Sequence, residues 1–301
     1  MPLLIGTRGS RLALAQAERV CAMLAKSGID TQRVIVATQG DADTSAPLHE
    51  IGGQGLFVRA LDDAILAGSI DAAVHSMKDI PAERPRGLLT SAVLTRDSPG
   101  DFLACRPETV EPGIVGTSST RRRAQQLRYH PDREVRPLRG NVDTRLRKLA
   151  SGEYDAIVLA EAGIERLGLQ VDGARLPPET YVPAPNQGTI AVVSRDEQLV
   201  AEATGLLDDP VSRTDTMIER AVMIELGGGC FTPIGIFCRD GHLIAEVLSL
   251  DGTRSVRIEQ DIDNIDQAAG IGRALRGEAS GLIKEARERL GMTVTGGRIA
   301  E

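Results

Sequence analysis

The chain has 301 residues, with 35 Lys and Arg against 42 Asp and Glu, so its formal net charge is −7. Hydrophobic residues make up 42%, enough for sizeable cores, and this length favours two or three domains over one. No run of about 18 apolar residues is present, which predicts no membrane-spanning helix. The negative charge and the absence of Trp disfavour general nucleic-acid binding, which needs a basic face and stacking rings.

The four cysteines are too few for a disulfide framework, and their spacing fits no paired zinc site. The first residues, Met-Pro-Leu-Leu-Ile, predict a strand and lack the basic stretch and apolar core of a signal peptide. We therefore expect a reduced, cytoplasmic protein without a metal.

The first part of the chain alternates strand and helix patterns. A strand at 3–5 precedes a Gly-rich turn, and Ser10 is a good N-cap for the helical spacing that follows. Further strands are predicted at 34–37 and 71–74, with a helix at 56–66 before the latter. The polar stretch from 40 to 55 is predicted to be a mobile loop.

The same design recurs after residue 110. Gly116-Thr-Ser-Ser-Thr-Arg follows an apolar strand and opens a helix, as Gly6-Thr-Arg-Gly-Ser-Arg does, and 151–158 resembles 67–74. The gaps between these motifs differ, so the pattern indicates two related α/β domains rather than a tandem repeat. Alternating strands and helices predict mainly parallel sheets with helices on both faces.

The last part has a different pattern. A helix at 214–226 ends in three glycines and is followed by three strands, at 234–238, 242–250 and 255–262, and by a helix at 265–290. This predicts a small α+β domain with an antiparallel sheet. The predicted boundaries are 1–93 with 188–207 for domain 1, 94–187 for domain 2 and 208–301 for domain 3.

Nine of the chain's arginines lie between residues 121 and 147. The planar fork of arginine suits carboxylates and phosphates, and the amides and hydroxyls of 116–119 would form an anion site at a helix start. Arg139-Gly-Asn is a turn that would project its arginine, and Arg8-Gly-Ser has the same chemistry. Two such turns across a cleft would bind a ligand with several negative groups. The alternative is a solvated basic helix face.

Lys78 and Asp79 follow the strand at 71–74, where ligands bind at the ends of parallel strands. An Asp in an arginine-rich cleft can accept a hydrogen bond from a ligand N–H and stabilise a developing cation. The alternative for this pair is ordinary surface charge, and we expect a structural rather than a catalytic role for His75.

Cys230 lies in a Gly-rich loop, 227–233, where a thiol is reachable. The other three cysteines fall in apolar patterns that predict buried packing. No His partner is evident nearby, so the loop fits a point of covalent attachment better than a hydrolase nucleophile.

Six stretches in order resemble the porphobilinogen deaminase family, also called hydroxymethylbilane synthase. A single such motif is weak, but six with consistent gaps are highly specific. They are Gly-Thr-Arg-Gly-Ser-Arg-Leu-Ala-Leu-Ala-Gln (6–16), Gly-Gly-Gln-Gly-Leu-Phe-Val (52–58), His-Ser-Met-Lys-Asp-Ile-Pro (75–81), Gly-Thr-Ser-Ser-Thr-Arg-Arg (116–122), Leu-Arg-Gly-Asn-Val-Asp-Thr-Arg-Leu (138–146) and Gly-Gly-Cys-Phe-Thr-Pro-Ile-Gly (228–235).

The resemblance implies two domains like type 2 periplasmic binding proteins and a third, α+β domain that carries the cysteine. It implies a transferase of porphyrin and heme biosynthesis that joins four porphobilinogen molecules head to tail into hydroxymethylbilane and releases four ammonia. The implied cofactor is dipyrromethane, held by a thioether to Cys230. The implied protein is a cytoplasmic monomer that binds neither nucleic acid nor membrane.

The same resemblance assigns roles to single residues. Asp79 would be the central catalytic residue, hydrogen-bonding pyrrole N–H groups and stabilising the cationic azafulvene, and Arg8, Arg139 and Arg145 would assist the chemistry. The remaining residues would bind cofactor and substrate carboxylates: Ser10, Gln16, Lys78, Thr117, Ser118, Ser119, Arg121, Arg122, Arg166 and Gln187.

The sequence departs from the family at Gln54, where Lys is common, which removes a positive charge from the expected lid. Two other functions stay open. One is a non-catalytic anion-binding protein on the same two-domain scaffold. The other is an enzyme that uses Cys230 as a transient nucleophile.

Overall fold

The computed structural model describes residues 1–37, 56–82, 84–227 and 232–290. The first of its three sheets is built from β1 (Leu3–Thr7), β2 (Thr31–Ile35), β3 (Ala72–Ser76), β4 (Leu88–Val93) and β10 (Ile190–Arg195). Their order is β2-β1-β3-β10-β4, with β1 parallel to β2 and β3, and β10 antiparallel to both of its neighbours. The predicted strand at 34–37 begins three residues too late. β2 is an edge strand whose first residues are polar and exposed, so they lack the apolar pattern from which a strand is predicted.

Helices cover both faces of the first sheet: α1 (Arg11–Lys26), α2 (Leu56–Leu66) and α6 (Gln198–Gly205). Ser10 is the N-cap of α1, as predicted, and its side chain accepts the Ala13 N–H at 3.3 Å. Val20 and Leu24 of α1 pack on one face, and Leu61 of α2 packs on the other. The turns after β1 and β3 therefore lie side by side at the carboxyl edge of the sheet.

The second sheet repeats the first. Its strands are β5 (Asp101–Cys105), β6 (Ile114–Gly116), β7 (Glu134–Arg136), β8 (Ala156–Ala160) and β9 (Gly173–Leu176). Their order is β7-β6-β8-β5-β9, so β6 takes the place of β1 and β8 that of β3. The helices of this domain are α3 (Thr120–Tyr129), α4 (Val142–Ala150) and α5 (Glu161–Arg166).

The likeness of the two sheets extends to a matching pair of aspartates. Asp71 accepts the Leu4 N–H at 2.8 Å and pairs with Arg195, while Asp155 accepts the Ile114 N–H at 2.9 Å and pairs with an arginine, Arg106. Asp71, directly before β3, thus ties β3 to β1, and Asp155, directly before β8, ties β8 to β6. The two domains share one design, as the repeated motifs predicted.

Four of the five strands in each large sheet run parallel, so the prediction of mainly parallel sheets is confirmed, and the one exception in each sheet is β10 or β5. The reason lies in the connections between the domains. The chain passes from the first domain to the second between β4 and β5 and returns between β9 and β10. β5 and β10 therefore each begin at the edge of their sheet that faces the other domain. β10 consequently runs opposite to β1 and β3, and β5 runs opposite to β6 and β8, because those strands end at that edge.

The third sheet is the predicted antiparallel one, with β11 (Ile234–Arg239), β12 (His242–Leu248) and β13 (Ser255–Asp261). It packs against α7 (Pro210–Leu226), α8 (Ile265–Glu278) and α9 (Ser280–Arg289), with Val222, Leu226 and Leu243 in the shared core. The helix predicted at 265–290 is interrupted at Ala279. Gly227 ends α7 in the left-handed conformation with φ of 58°.

Each sheet draws its strands from one of the three predicted segments, and the fold class of two α/β domains plus a smaller α+β domain is confirmed. The domain boundaries themselves stay predictions. Within the described ranges, no helix is long and apolar enough to cross a membrane.

Gly188 lies where the two connections between the domains cross. Its φ is 89°, and a Cβ built there would lie 2.7 Å from the carbonyl oxygens of both Asp97 and Ser98. The N–H of Asp97 also donates to the Gly188 carbonyl at 3.0 Å. Only glycine fits a backbone this close in a left-handed conformation.

We expect Gly188→Ala to lower the free energy of unfolding by about 3 kcal/mol, because it adds overpacking to backbone strain. Gly168→Ala is the matched control, since Gly168 has φ of 60° but no atom within 4 Å of the added Cβ. Strain alone should cost the control about 1 kcal/mol. Urea denaturation of both variants measures the difference, and equal losses would contradict the close approach at Gly188.

Candidate active site

The first wall of the cleft is made by domain 1. A pocket of about 80 Å³ opens between the turn after β1 and the turn after β3, and its lining includes four predicted site residues: Arg8, Ser10, Gln16 and Asp79. Gln16 is buried, and its Nε2 donates to Ser76 Oγ at 2.9 Å. Gln16 therefore links α1 to the end of β3, which makes it part of the pocket's framework.

Asp79 ends a single 3₁₀ turn, Met77–Asp79, that follows β3. The Met77 N–H donates to the Thr189 carbonyl at 2.9 Å, and the Ile80 N–H donates to the Met77 carbonyl at 3.1 Å. Met77 and Ile80 are buried, whereas Lys78 and Asp79 are exposed to the cleft. The flanking residues fix the turn, and the two charged side chains remain accessible to a ligand.

Lys78 faces the cleft but is closely surrounded by protein. Burial, assisted by the charge of Arg122, lowers the pKa of Lys78 to about 8, although Asp79 and Asp101 oppose this shift. Its Nζ donates to Gln187 Oε1 at 3.3 Å. Lys78 is therefore mainly cationic at neutral pH and loses its charge as the pH rises through about 8.

His75 also lines this pocket. It is buried, and its Nε2 makes no hydrogen bond to the described part of the chain. Burial, with the charges of Arg84 and Arg8, lowers the pKa of His75 to about 3, so the ring is neutral.

The second wall begins at the turn after β6, where three predicted hydroxyls make local hydrogen bonds. Ser119 is the N-cap of α3, and Thr117 Oγ1 accepts the Ser119 N–H at 3.2 Å. Ser118 Oγ donates to the Leu138 carbonyl at 2.9 Å and accepts the Leu138 N–H at 3.0 Å. Ser118 thereby fastens the loop that carries Arg139 to this turn.

Arg121 and Arg122 are buried and form ion pairs with Asp101. Their Nη atoms lie 2.8 and 2.7 Å from the two Asp101 carboxylate oxygens, and only 1% of Asp101 is exposed. Burial alone would raise the pKa of Asp101, but the two arginines outweigh it and hold that pKa well below its usual range. Both guanidinium groups, predicted to bind ligand carboxylates, are engaged by a carboxylate of the protein.

Arg139 and Arg145 lie on the turn before α4 and on its first turns. Both side chains are half-buried, and Arg145 Nε donates to the Gly140 carbonyl at 2.7 Å. Burial, with the nearby charge of Arg122, lowers the pKa of Arg145 to about 10, so this side chain stays cationic at neutral pH. The first turn of α4 is joined to α1 by an ion pair of 2.9 Å between Arg11 and Asp143.

A second, smaller pocket of about 40 Å³ lies between the domains. Its lining joins Lys78 of domain 1 to Arg166 of α5. Arg166 pairs with Asp97 at 2.8 Å and donates to the Gly188 carbonyl at 2.6 Å, and Arg19 of α1 shares the same aspartate at 2.7 Å. Arg166 is thus both a pocket residue and a structural link between the domains.

Gln187 does not line either pocket. It is buried, and its Nε2 donates to Asp101 Oδ1 at 2.8 Å and to the Pro99 carbonyl at 2.9 Å. Its Oε1 accepts from Lys78 of the first wall, at 3.3 Å, and from Arg122 of the second, at 3.5 Å. This residue, predicted to bind ligand, connects the two walls.

Asp101 is the site residue that sequence analysis missed. Glu108 and Glu111 lie closer to the arginines in the sequence, so nothing local indicates that Asp101 pairs with Arg121 and Arg122.

Cys230 and Gln54 lie outside the described residues. The three cysteines within them are free, and Cys238 is buried, which raises the pKa of its thiol. Cys21 and Cys105 are only half-buried, which limits the expectation of buried packing. Among the residues that the structure describes, no group of His, Cys, Asp and Glu could hold a metal ion.

Two family models match the chain. Residues 3–202 match porphobilinogen deaminase, dipyromethane cofactor binding domain, and residues 214–280 match porphobilinogen deaminase, C-terminal domain. A probable porphobilinogen deaminase of Methanosarcina acetivorans is 50% identical over 91% of each chain. One of Archaeoglobus fulgidus is 45% identical over 93% of this chain and 100% of the relative.

Solved structures with similarity include the periplasmic molybdate-binding protein of Azotobacter vinelandii. It is 15% identical, covers 70% of this chain and 94% of its own, and has a TM-score of 0.39. An ancestral cationic amino acid solute binding protein is 13% identical over 68% of this chain and 87% of its own, with a TM-score of 0.41.

We expect Asp101→Asn to lower the free energy of unfolding by about 3–5 kcal/mol at pH 7, because it leaves two buried guanidinium groups without a counter-charge. The low pKa of Asp101 means that its stabilisation is present above the unfolded-state pKa of about 4 and is lost as the pH falls through the folded-state value. Urea denaturation at pH 7 and at pH 3 measures both the loss and its pH dependence.

Glu134→Gln is the control, because Glu134 pairs with Arg136 on the surface and should leave stability nearly unchanged. If Asp101→Asn were as stable as this control, the ion-pair cluster would not hold the second wall.

Proposed function

The chain belongs to the porphobilinogen deaminase family and is a transferase of tetrapyrrole biosynthesis, and we propose that it extends a dipyrromethane primer attached covalently to Cys230. Four porphobilinogen molecules condense head to tail on the primer with the release of four ammonia, and one water then cleaves the bond between the tetrapyrrole and the primer to give hydroxymethylbilane. The observation that carries the proposal is one accessible carboxylate, Asp79, beside a cationic lysine and in a pocket with Arg8.

The charges of the cleft fit the dipyrromethane group. Each pyrrole unit carries an acetate and a propionate, so a primer of two units has four carboxylates and two N–H groups. Arg8 and Lys78 on one wall and Arg139 and Arg145 on the other are the cations that would bind those carboxylates. When bound, dipyrromethane supplies the free pyrrole carbon to which the first substrate is joined.

Asp79 is proposed to act on the incoming porphobilinogen. Its carboxylate accepts a hydrogen bond from the pyrrole N–H and stabilises the cation that forms when the aminomethyl C–N bond breaks and ammonia leaves. A new C–C bond then forms, and the attacked ring loses the proton from its carbon. A carboxylate near the pyrrole nitrogen lowers the energy of the cationic state and has less effect on the neutral substrate.

The buried arginines of the second wall, Arg121 and Arg122, are proposed to stabilise the wall more than to bind the ligand directly. Arg121 and Arg122 are paired with Asp101, which reduces their direct contribution to ligand binding. The charge of Arg122 also adds to burial, the larger cause, in lowering the pKa values of Lys78 and Arg145. Ser118 holds the Arg139 loop in place.

Location and assembly are also proposals. A cytoplasmic monomer that binds neither nucleic acid nor membrane fits the net charge of −7, the scarcity of cysteines and the family resemblance. The rival function of a non-catalytic anion-binding protein accounts for the arginines but gives no role to Asp79 or to a cysteine in a Gly-rich loop. A transient Cys230 nucleophile would leave the resting thiol unmodified.

We expect the intact mass of the purified protein to exceed the sequence mass by one dipyrromethane, with a colour reaction to a pyrrole reagent. Cys230→Ser should lose both, because the thioether cannot form. Cys105→Ser is the matched control, since Cys105 is free and half-buried, and it should keep both. An unmodified wild-type chain that still consumed porphobilinogen would rule out the attachment.

Asp79→Asn should keep the cofactor but lose about 10²–10³-fold in turnover, because the amide cannot stabilise the cation as a carboxylate does. Steady-state rates per loaded chain test this. Asp30→Asn is the control, since Asp30 is exposed and precedes β2 at the opposite edge of the sheet. A turnover near that of wild type in Asp79→Asn would place the central role on another residue.

A further inference from the structure

We propose that Arg220 of the third domain is a positioning residue for the reaction, holding the turn that presents Asp79. This inference rests on the proposed function. Arg220 lies on α7, and its Nη1 donates to the Ile80 carbonyl at 3.2 Å. Its Nη2 donates to the carbonyls of Pro81 and, at 3.4 Å, of Ala82. One guanidinium group thus binds three successive backbone carbonyls directly after Asp79.

These contacts complete the attachment of the Asp79 turn. On its amino-terminal side the turn is held by the hydrogen bond from the Met77 N–H to the Thr189 carbonyl. On its carboxyl-terminal side the chain turns away at Pro81, whose carbonyl has to be satisfied by a donor outside the sheet. Arg220 supplies that donor from another domain. Asp79 therefore lies between one anchor at Thr189, directly before β10, and one in α7.

The helix that carries Arg220 is held firmly by its packing in the third domain. Val222 and Leu226 of α7 are fully buried in the third-domain core. Glu219, next to Arg220, is also buried, and its carboxylate pairs with Arg96 at 2.6 Å and accepts the N–H groups of Asn186 and Cys238. A side chain fixed on this helix can hold the Asp79 turn with little freedom.

The same helix leads to Cys230, since α7 ends at Leu226, four positions earlier in the sequence. Arg220 therefore joins the helix that precedes the attachment cysteine to the backbone that follows the catalytic carboxylate. Small displacements of a reacting group cost a large part of the rate even when binding is unchanged. Arg220 accordingly contributes to kcat, through the placement of Asp79, and not to substrate affinity.

The test compares Arg220→Met and Arg220→Lys with Arg213→Met. Arg213 is the matched control, because it lies on the same helix and also ties it to domain 1, donating to the carbonyls of Thr90 and Ser91 at 3.2 and 3.3 Å. Intact mass gives the fraction of each protein that carries the cofactor. The kcat and KM for porphobilinogen are then measured per loaded chain.

We expect Arg220→Met to keep its cofactor and its KM within twofold while kcat falls about 10- to 100-fold. Arg220→Lys should recover part of kcat, because one ammonium group can reach some but not all of three carbonyls. Arg213→Met should keep kcat within twofold. If Arg220→Met does not fold, the Arg220→Lys variant decides, by a fall in kcat at constant KM.

A wild-type kcat in the Arg220 variants, or an equal loss of kcat in Arg213→Met, would overturn the proposal, because general docking of the third domain would then explain the contacts. Failure of the proposed function is separate. It would appear as a wild-type chain without added mass, whatever the rates of the Arg220 variants.

Discussion

The buried carboxylate of Asp101 is the interaction on which the cleft depends. Two adjacent arginines at the start of α3 point into the protein, and burying two guanidinium groups without a counter-charge costs several kcal/mol. Asp101 pairs with both at 2.8 and 2.7 Å, at the point where the chain enters the second domain. Gln187 extends this cluster to Lys78, so the position of a cation in the first domain depends on an ion pair in the second.

The duplicated sheets explain why the site has two different walls. In both domains the chain passes from a parallel strand, β1 or β6, through a Ser-capped turn into a helix at the carboxyl edge of the sheet. Domain 1 has Lys78 and Asp79 two and three residues after β3, whereas domain 2 has Ala162 and Gly163 at the same positions after β8. The shared framework thus brings one acidic turn opposite a cationic loop.

Much of this arrangement could be predicted from local sequence. The N-cap Ser10, the end of the helix at Gly227 and the three antiparallel strands of the third domain all depend on neighbours within a few residues, and the structure has them as predicted. The pocket formed by Arg8, Ser10, Gln16 and Asp79 follows from adjacent parallel strands.

The remaining features depend on partners far apart in the chain. Asp101 and Gln187 are 86 positions apart, and Arg220 and Ile80 are 140 apart, so no local pattern indicates their contacts. For the same reason Arg121 and Arg122 were assigned to ligand carboxylates and not to a buried aspartate. The antiparallel β5 and β10 result from the connections between domains, which strand patterns do not specify.

The central claim is that a chain-bound primer is extended one unit at a time. Its most direct test is the intact mass of the loaded protein, recorded within the first turnovers after mixing with porphobilinogen. The account predicts a series of protein species, each heavier than the one before by one porphobilinogen minus one ammonia. The protein returns to its starting mass when the product leaves. Formation of hydroxymethylbilane with a constant protein mass throughout would contradict it.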